Sequence, residues 1–259
     1  MSVHTRHWPG DPNRPGLALH CMLGSAKAWD AVAGQLSGRL DLRGFDLPGH
    51  GRSPDWAPAP GVDYHSHVTR LAAAMIDRPL DLIGHSFGAT VALRIATGAP
   101  QAIRSLTLIE PVLFAAAPPD LRALEATHDA TLAQALAEGR DADAARDFVA
   151  RWGAQGWEHL PAPTRAAMTR QIQLVADSHA ALALDAHRIL RPGGLEGIDA
   201  PVMIVTGADS PPVIAAIAEA LAARLPDVGR ATVPGAGHML PLTHPAPVAG
   251  LVGANLDRA

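Results

Sequence analysis

The chain has 259 residues, 48% hydrophobic and 18% charged, a composition that excludes wholesale disorder and suits one large α/β domain or two small ones. Lys and Arg number 21 against 25 Asp and Glu, a formal net charge of −4 that argues against a nucleic acid or an anionic membrane as partner. A single cysteine, Cys21, excludes an intrachain disulfide framework and a cysteine-based zinc site, no apolar run approaches the ~20 residues that span a bilayer, and the first residues lack the apolar stretch of a secretory signal, so a soluble cytoplasmic protein is expected.

The elements follow in chain order. Residues 17–20 form a short apolar run that reads as a buried strand. Helical spacing of Trp29, Val32, Ala33 and Leu36 predicts a helix over 28–36, and alternation predicts a strand over 40–45. The Pro- and Gly-rich stretch 46–53 is a loop. A helix over 64–76, a strand over 80–83, a helix over 87–96 and a strand over 105–109 complete a βαβ rhythm, which implies a mainly parallel sheet. The rhythm stops at Pro111. Only helical patterns follow, over 121–138, 142–152 and 164–190, and the block is too long for a simple strand-to-helix connection. Strand and helix then resume at 202–205, 213–225, 231–233 and 245–256. The expected division is a core over 1–110, a helical cap over 111–192, and the rest of the core over 193–259.

The strongest local signal is Gly84-His85-Ser86-Phe87-Gly88, placed where a strand ends and a helix begins. A turn that tight exposes a serine hydroxyl at the carboxyl end of the sheet, near the positive end of the next helix. A hydroxyl at neutral pH needs a base, and the base needs an orienting acid. Asp209, just past the strand 202–205, and His238, in the Gly235-Ala236-Gly237-His238 loop after the last strand, supply both in the order Ser, acid, His. Asp209 alone would read as a turn or helix-capping residue. Glu110 also ends a strand and competes for the acid's place, although anchoring backbone beside Pro111 is sufficient explanation for it.

On these segments, together with residues 20–25, Trp29 and 46–53, the chain resembles α/β-hydrolase-fold enzymes over nearly its whole length. The resemblance implies an eight-stranded, mostly parallel sheet with a cap inserted after the sixth strand. It implies a triad of Ser86, Asp209 and His238, and an oxyanion hole from the backbone N–H groups of Met22 and Phe87. Cys21 stands where the family usually has glycine. Thr90 stands where the similar lyases of menaquinone biosynthesis carry an arginine for an anionic substrate, which counts against lyase chemistry.

Other signals are weaker. His65 and His67 lie in a helical segment with no third ligand near, so no metal is expected. Trp152 and Trp157 flank a Gly-containing turn in the cap, and their two readings are core packing and lining of an apolar substrate pocket. The expected activity is that of a serine hydrolase cleaving a carboxylic ester or related acyl substrate through an acyl-enzyme, without cofactor. A lyase or C–C bond hydrolase using the same residues, or a binding protein with little turnover, are the alternatives.

Overall fold

The structure is a computed structural model and describes residues 2–36 and 38–259. Its strands are β1 (Thr5–Trp8), β2 (Pro15–Leu19), β3 (Asp41–Phe45), β4 (Leu80–His85), β5 (Ile103–Ile109), β6 (Val202–Gly207) and β7 (Val228–Val233). They form one sheet in the order β1-β3-β2-β4-β5-β6-β7, in which only the β1–β3 pairing is antiparallel. The described residues thus carry seven strands, not the eight expected, and the helical insertion follows the fifth. Edge strand β1 escaped the sequence reading because Thr-Arg-His-Trp alternates between exposed and half-buried positions and has no apolar run.

Helices α1 (Asp30–Gln35), α2 (Tyr64–Ala73) and α3 (Phe87–Gly98) precede the insertion, which holds α4 (Pro119–Ala137), α5 (Asp141–Trp152), α6 (Ala162–Ala176) and α7 (His179–Ala183). After it come α8 (Pro212–Ala222), α9 (Leu240–Thr243) and α10 (Pro245–Leu256). Parity along the strands sorts the core into two layers. Leu17, Leu19, Leu82, Leu106, Leu108 and Ile204 pack toward α2, α3 and α8, whereas Ala18, Ile83, Ile109, Met203 and Val205 pack toward α1 and α10. β4 is buried along its whole length, as a central parallel strand covered on both faces must be.

The helix expected over 164–190 ends at Ala176. Further on, Asp185 and Arg188 take left-handed backbone conformations (φ 47° and 55°), and the Asp185 carboxylate accepts the Ile189 and Leu190 N–H groups. An aspartate that satisfies its own neighbours in this way competes with the helical ladder. Among the described residues no helix is long and apolar enough to cross a membrane.

The strand order fixes where a site can form. β2 runs on to α1 and β3 on one side of the sheet, and β4 runs on to α3 and β5 on the other. Their carboxyl ends therefore open a crevice at a topological switch point, the place where open α/β sheets bind ligands. The opposite end of the sheet is tied by Asp81, fully buried, which accepts from Arg14 Nε at 2.9 Å and from the Ser105 hydroxyl at 2.6 Å. Replacing Asp81 with Ala leaves the Arg14 guanidinium without its carboxylate, and we expect a loss of about 3 kcal/mol in urea unfolding, as for other broken buried pairs. An unchanged midpoint would contradict that role.

Candidate active site

Ser86 sits at the β4–α3 turn with φ 56° and ψ −118°, a conformation disfavoured for any residue with a side chain. The flanking glycines make the turn possible. A Cβ on Gly84 would lie 2.4 Å from the Gly88 carbonyl oxygen, and one on Gly88 would lie 2.3 Å from that of Leu19. Helix α3 can thus start against β2 and β4 only with glycine at both positions. Phe87, its first residue, has an N–H that no turn of the helix consumes. Thr90, fully buried, donates its hydroxyl to the Phe87 carbonyl at 2.7 Å.

Ser86 Oγ lies 2.9 Å from His238 Nε2, and His238 Nδ1 lies 2.8 Å from Glu110 Oε2. All three residues are buried, Glu110 completely. The carboxylate fixes the tautomer: Nδ1–H donates to Glu110, which leaves Nε2 to accept a hydrogen bond from the serine hydroxyl. Glu110 is held on its other sides by the Gly207 N–H and the Ser210 hydroxyl, each at 2.7 Å. The expectation that Asp209 faces His238 is therefore corrected by this geometry. Asp209 is exposed, and only its backbone N–H engages this loop, donating to the Ala236 carbonyl at 2.9 Å. The turn 207–210 supplies donors to the carboxylate rather than the carboxylate itself. Its glycine is still required, because a Cβ on Gly207 would lie 2.2 Å from the Ala236 carbonyl oxygen and push the histidine loop away.

Two aromatic neighbours hold His238. His85 donates from Nε2 to the His238 backbone carbonyl at 2.8 Å, and burial pushes the His85 pKa down to about 3. Trp152 packs edge-on against the imidazole with ring centroids 4.6 Å apart. Trp157 is buried in the core and lines no cavity at Ser86, so of the two flanking tryptophans only Trp152 faces the site.

Residues 20–25, which follow β2, carry the Met22 N–H, and among the described residues this amide takes part in no turn or loop hydrogen bond. Two histidines brace the loop reciprocally. His20 Nε2 accepts the Leu47 N–H at 2.9 Å, and His50 Nε2 accepts the Leu23 N–H at 3.0 Å. Each ring places its other nitrogen against a carbonyl, His20 on Cys21 and His50 on Pro48. Asp46 adds a third tie by accepting the Ala26 and Arg52 N–H groups. Burial drives the Cys21 thiol up to about 12, which makes it a small apolar filler and no nucleophile. Leu23, Ser86 and Glu110 all have φ between 52° and 57°, so each of the three segments that meet at the site bends through a left-handed residue, directly after the strand at Ser86 and Glu110 and four residues after β2 at Leu23.

Residues 17–251 match the sequence profile of the Alpha/beta hydrolase family. The chain belongs to this family. Across nearly its whole length it is 31% identical to a pimeloyl-[acyl-carrier protein] methyl ester esterase of Aromatoleum aromaticum, with 93% of this chain and 97% of that protein covered. It is 34% identical to lipase LipV of Mycobacterium tuberculosis over 111 residues, which span 42% of this chain and 41% of the lipase. Among solved structures, Cfl2 from Burkholderia cenocepacia superposes with a TM-score of 0.74 at 22% identity, covering 97% of this chain and 91% of that one. A hydrolase from Pseudomonas aeruginosa superposes with a TM-score of 0.72 at 26% identity, covering 97% and 93%. The mostly parallel sheet and the serine turn of this alpha/beta hydrolase are thus those of a family with esterase- and lipase-named members.

The bracing histidines make stability depend on pH. Burial lowers His20 to about 4 and His50 to about 3, well below the ordinary 6.5 that they regain on unfolding. Both rings stay neutral in the fold at pH 7, because each uses a nitrogen lone pair to accept a backbone N–H. Below pH 6.5 the unfolded chain takes up protons that the folded chain refuses, so stability falls as pH drops from 6.5 toward 4, by up to about 1.4 kcal/mol per pH unit for each ring. Urea midpoints measured from pH 8 to pH 4.5 should be level above pH 7 and decline below 6.5. A midpoint that holds or rises on acidification would contradict neutral, load-carrying rings.

Proposed function

We propose that this alpha/beta hydrolase is a serine esterase in which Ser86 is the nucleophile, His238 the general base and Glu110 the orienting acid. The observation that carries this reading is the unbroken hydrogen-bond chain from the buried Glu110 carboxylate through His238 to Ser86 Oγ. His238 takes the serine proton as Oγ attacks the carbonyl of a carboxylic ester or related acyl substrate, and the nearby carboxylate stabilises the imidazolium that forms. The negative charge developing on the carbonyl oxygen is received by the Met22 and Phe87 amides, each donor of this kind being worth about 3–4 kcal/mol of transition-state stabilisation. His238 then returns its proton to the leaving alcohol. Water attacks the resulting acyl-enzyme with His238 acting again as base. In this reading the helical block over 111–192 is a cap, and its Trp152 shields the imidazole from bulk water.

Ser86→Ala should lower kcat on short esters such as phenyl acetate by about 10⁴-fold or more while leaving the urea midpoint in place. Turnover close to that of the parent would end the esterase reading. An enzyme that labels with a fluorophosphonate at Ser86 but cleaves no ester, while cleaving a β-diketone, would replace it with C–C bond hydrolysis.

The choice of acid has its own test. Glu110→Gln keeps the shape of the side chain but no longer holds Nδ1 as the donor, and should cut kcat by as much as ~10⁴-fold. Asp209→Asn alters an exposed carboxylate that touches neither Ser86 nor His238, and should leave kcat within about twofold. The reverse outcome, a dead Asp209 variant beside an active Glu110 variant, would return the role to Asp209.

A further inference from the structure

Two cavities meet at Ser86, and they differ in size and in chemistry. Met22, Phe148 and Trp152 line both and so form the wall between them, while Ser86 and His238 stand at the junction. The smaller cavity measures about 160 Å³ and is walled by Leu23, Val149, Leu160, Met168 and Leu242, the last half-exposed at its mouth. An apolar space of about 150 Å³ accepts a benzene ring, which sets the scale of the group that fits there.

The larger cavity, about 290 Å³, lies between the sheet and the helices α4 and α5. Val112, Phe114 and Leu132 are among its apolar walls. Asp147 is exposed and Asp129 half-buried, so these two mark where the cavity reaches the surface. Glu125 also lines it and is only 5% exposed. Arg151 is the one guanidinium among the lining residues, and its charge is already engaged: Nη2 donates to Glu125 Oε1 at 2.5 Å, and the guanidinium stands 4.8 Å over the Trp152 ring. Histidines aside, the lining carries three carboxylates against one guanidinium; Glu125 is paired with that guanidinium, and Asp129 is bonded to His179 Nδ1 at 2.8 Å. A carboxylate entering there would leave water for a net negative surrounding, whereas a hydroxyl or ammonium group would find acceptors.

Resting on the esterase reading, we propose that the substrate has one limb no larger than a benzene ring and a longer limb that carries no negative charge and ends in a hydrogen-bond donor. Glu125, Asp129 and Asp147 are then specificity-determining residues that reject carboxylate-ended chains and the anionic carriers of acyl groups. The Arg151–Glu125 pair offers both a donor and an acceptor to a terminal hydroxyl, so an ω-hydroxyacyl chain is the best match. With the phenyl group of the ester in the smaller cavity, the acyl chain has the larger one to enter.

The test is a matched set of phenyl esters: hexanoate, 6-hydroxyhexanoate and the monophenyl ester of adipic acid, with phenyl acetate as the short reference substrate. In low-salt buffer at pH 7.5, kcat/KM for the hydroxy ester should equal or exceed that for hexanoate, and both should exceed adipate by at least tenfold. Asp129→Asn combined with Asp147→Asn, both away from the buried core, should shrink the adipate penalty at least threefold, and so should 0.5 M NaCl, which screens these charges. Turnover of phenyl acetate with adipate equal or preferred overturns the proposal and leaves the esterase standing. An adipate penalty unchanged in both the double variant and high salt also overturns it, since the discrimination would then come from shape. No turnover of phenyl acetate overturns the esterase reading itself, and the inference with it.

Discussion

A carboxylate that water does not reach has to be compensated by the protein, and at Glu110 the compensation is the site. The group has no exposed surface, and it is satisfied by the Gly207 amide, the Ser210 hydroxyl and the His238 imidazole, which come from the end of β6 and from the loop after β7. Bonds to an ionised acceptor are among the stronger ones, and removing any partner strands the charge. Two loops that continue from the β6–β7 ladder, joined to each other by the Asp209 N–H bond to Ala236, are thereby fixed relative to β5, and the serine turn on the neighbouring strand is fixed with them by the Ser86 N–H bond to Ile109 at 2.9 Å. The geometry that aims His238 at Ser86 follows from where this one anion is solvated.

The opposite side of the crevice is held by neutral groups. His20 and His50 each reach across to accept a backbone N–H from the other's loop, so the segment carrying Met22 cannot drift without breaking two buried hydrogen bonds. Protonation of either ring removes the acceptor as well as adding a buried charge. The two sides thus use different chemistry for the same purpose: a charged hub positions His238 against Ser86, and uncharged cross-braces position the loop that carries Met22. Both arrangements are preorganised, with the dipoles in place before any ligand arrives.

Much of the fold was legible in the sequence because periodicity reports burial directly. Continuous apolar runs marked β2, β4, β5 and β6, and Gly84-His85-Ser86-Phe87-Gly88 marked the tight turn. Ser86 and His238 were visible for the same reason, each lying just past a strand among glycines. The carboxylate that faces His238 was not, because sequence shows which strands end in carboxylates and not how far each end reaches toward a given loop. Ile109 pairs with Val205, which sets Glu110 level with the last residues of β6, inside the sheet edge, while Asp209 lies beyond that edge and in water. The glycine at 207 was a true signal of close approach, but what approaches is the Ala236 backbone. The insertion was legible as helices, yet Trp152 and Trp157, five residues apart around one turn, face the site and the core respectively, a difference that depends on how α5 packs and leaves no trace in composition.

The left-handed residues past the strands bear on how this protein tolerates change. Leu23, Ser86 and Glu110 each occupy a backbone region where a side chain costs about 1–2 kcal/mol and glycine costs almost nothing. A search for stabilising substitutions guided by backbone strain alone would choose glycine at all three. It would thereby remove, in turn, a wall of the smaller cavity, the hydroxyl at the junction and the buried anion on which the loops depend. Thermal robustness and the working crevice therefore draw on the same three positions in opposite directions, and sequences selected only for melting temperature would drift toward a well-folded shell with nothing at its centre.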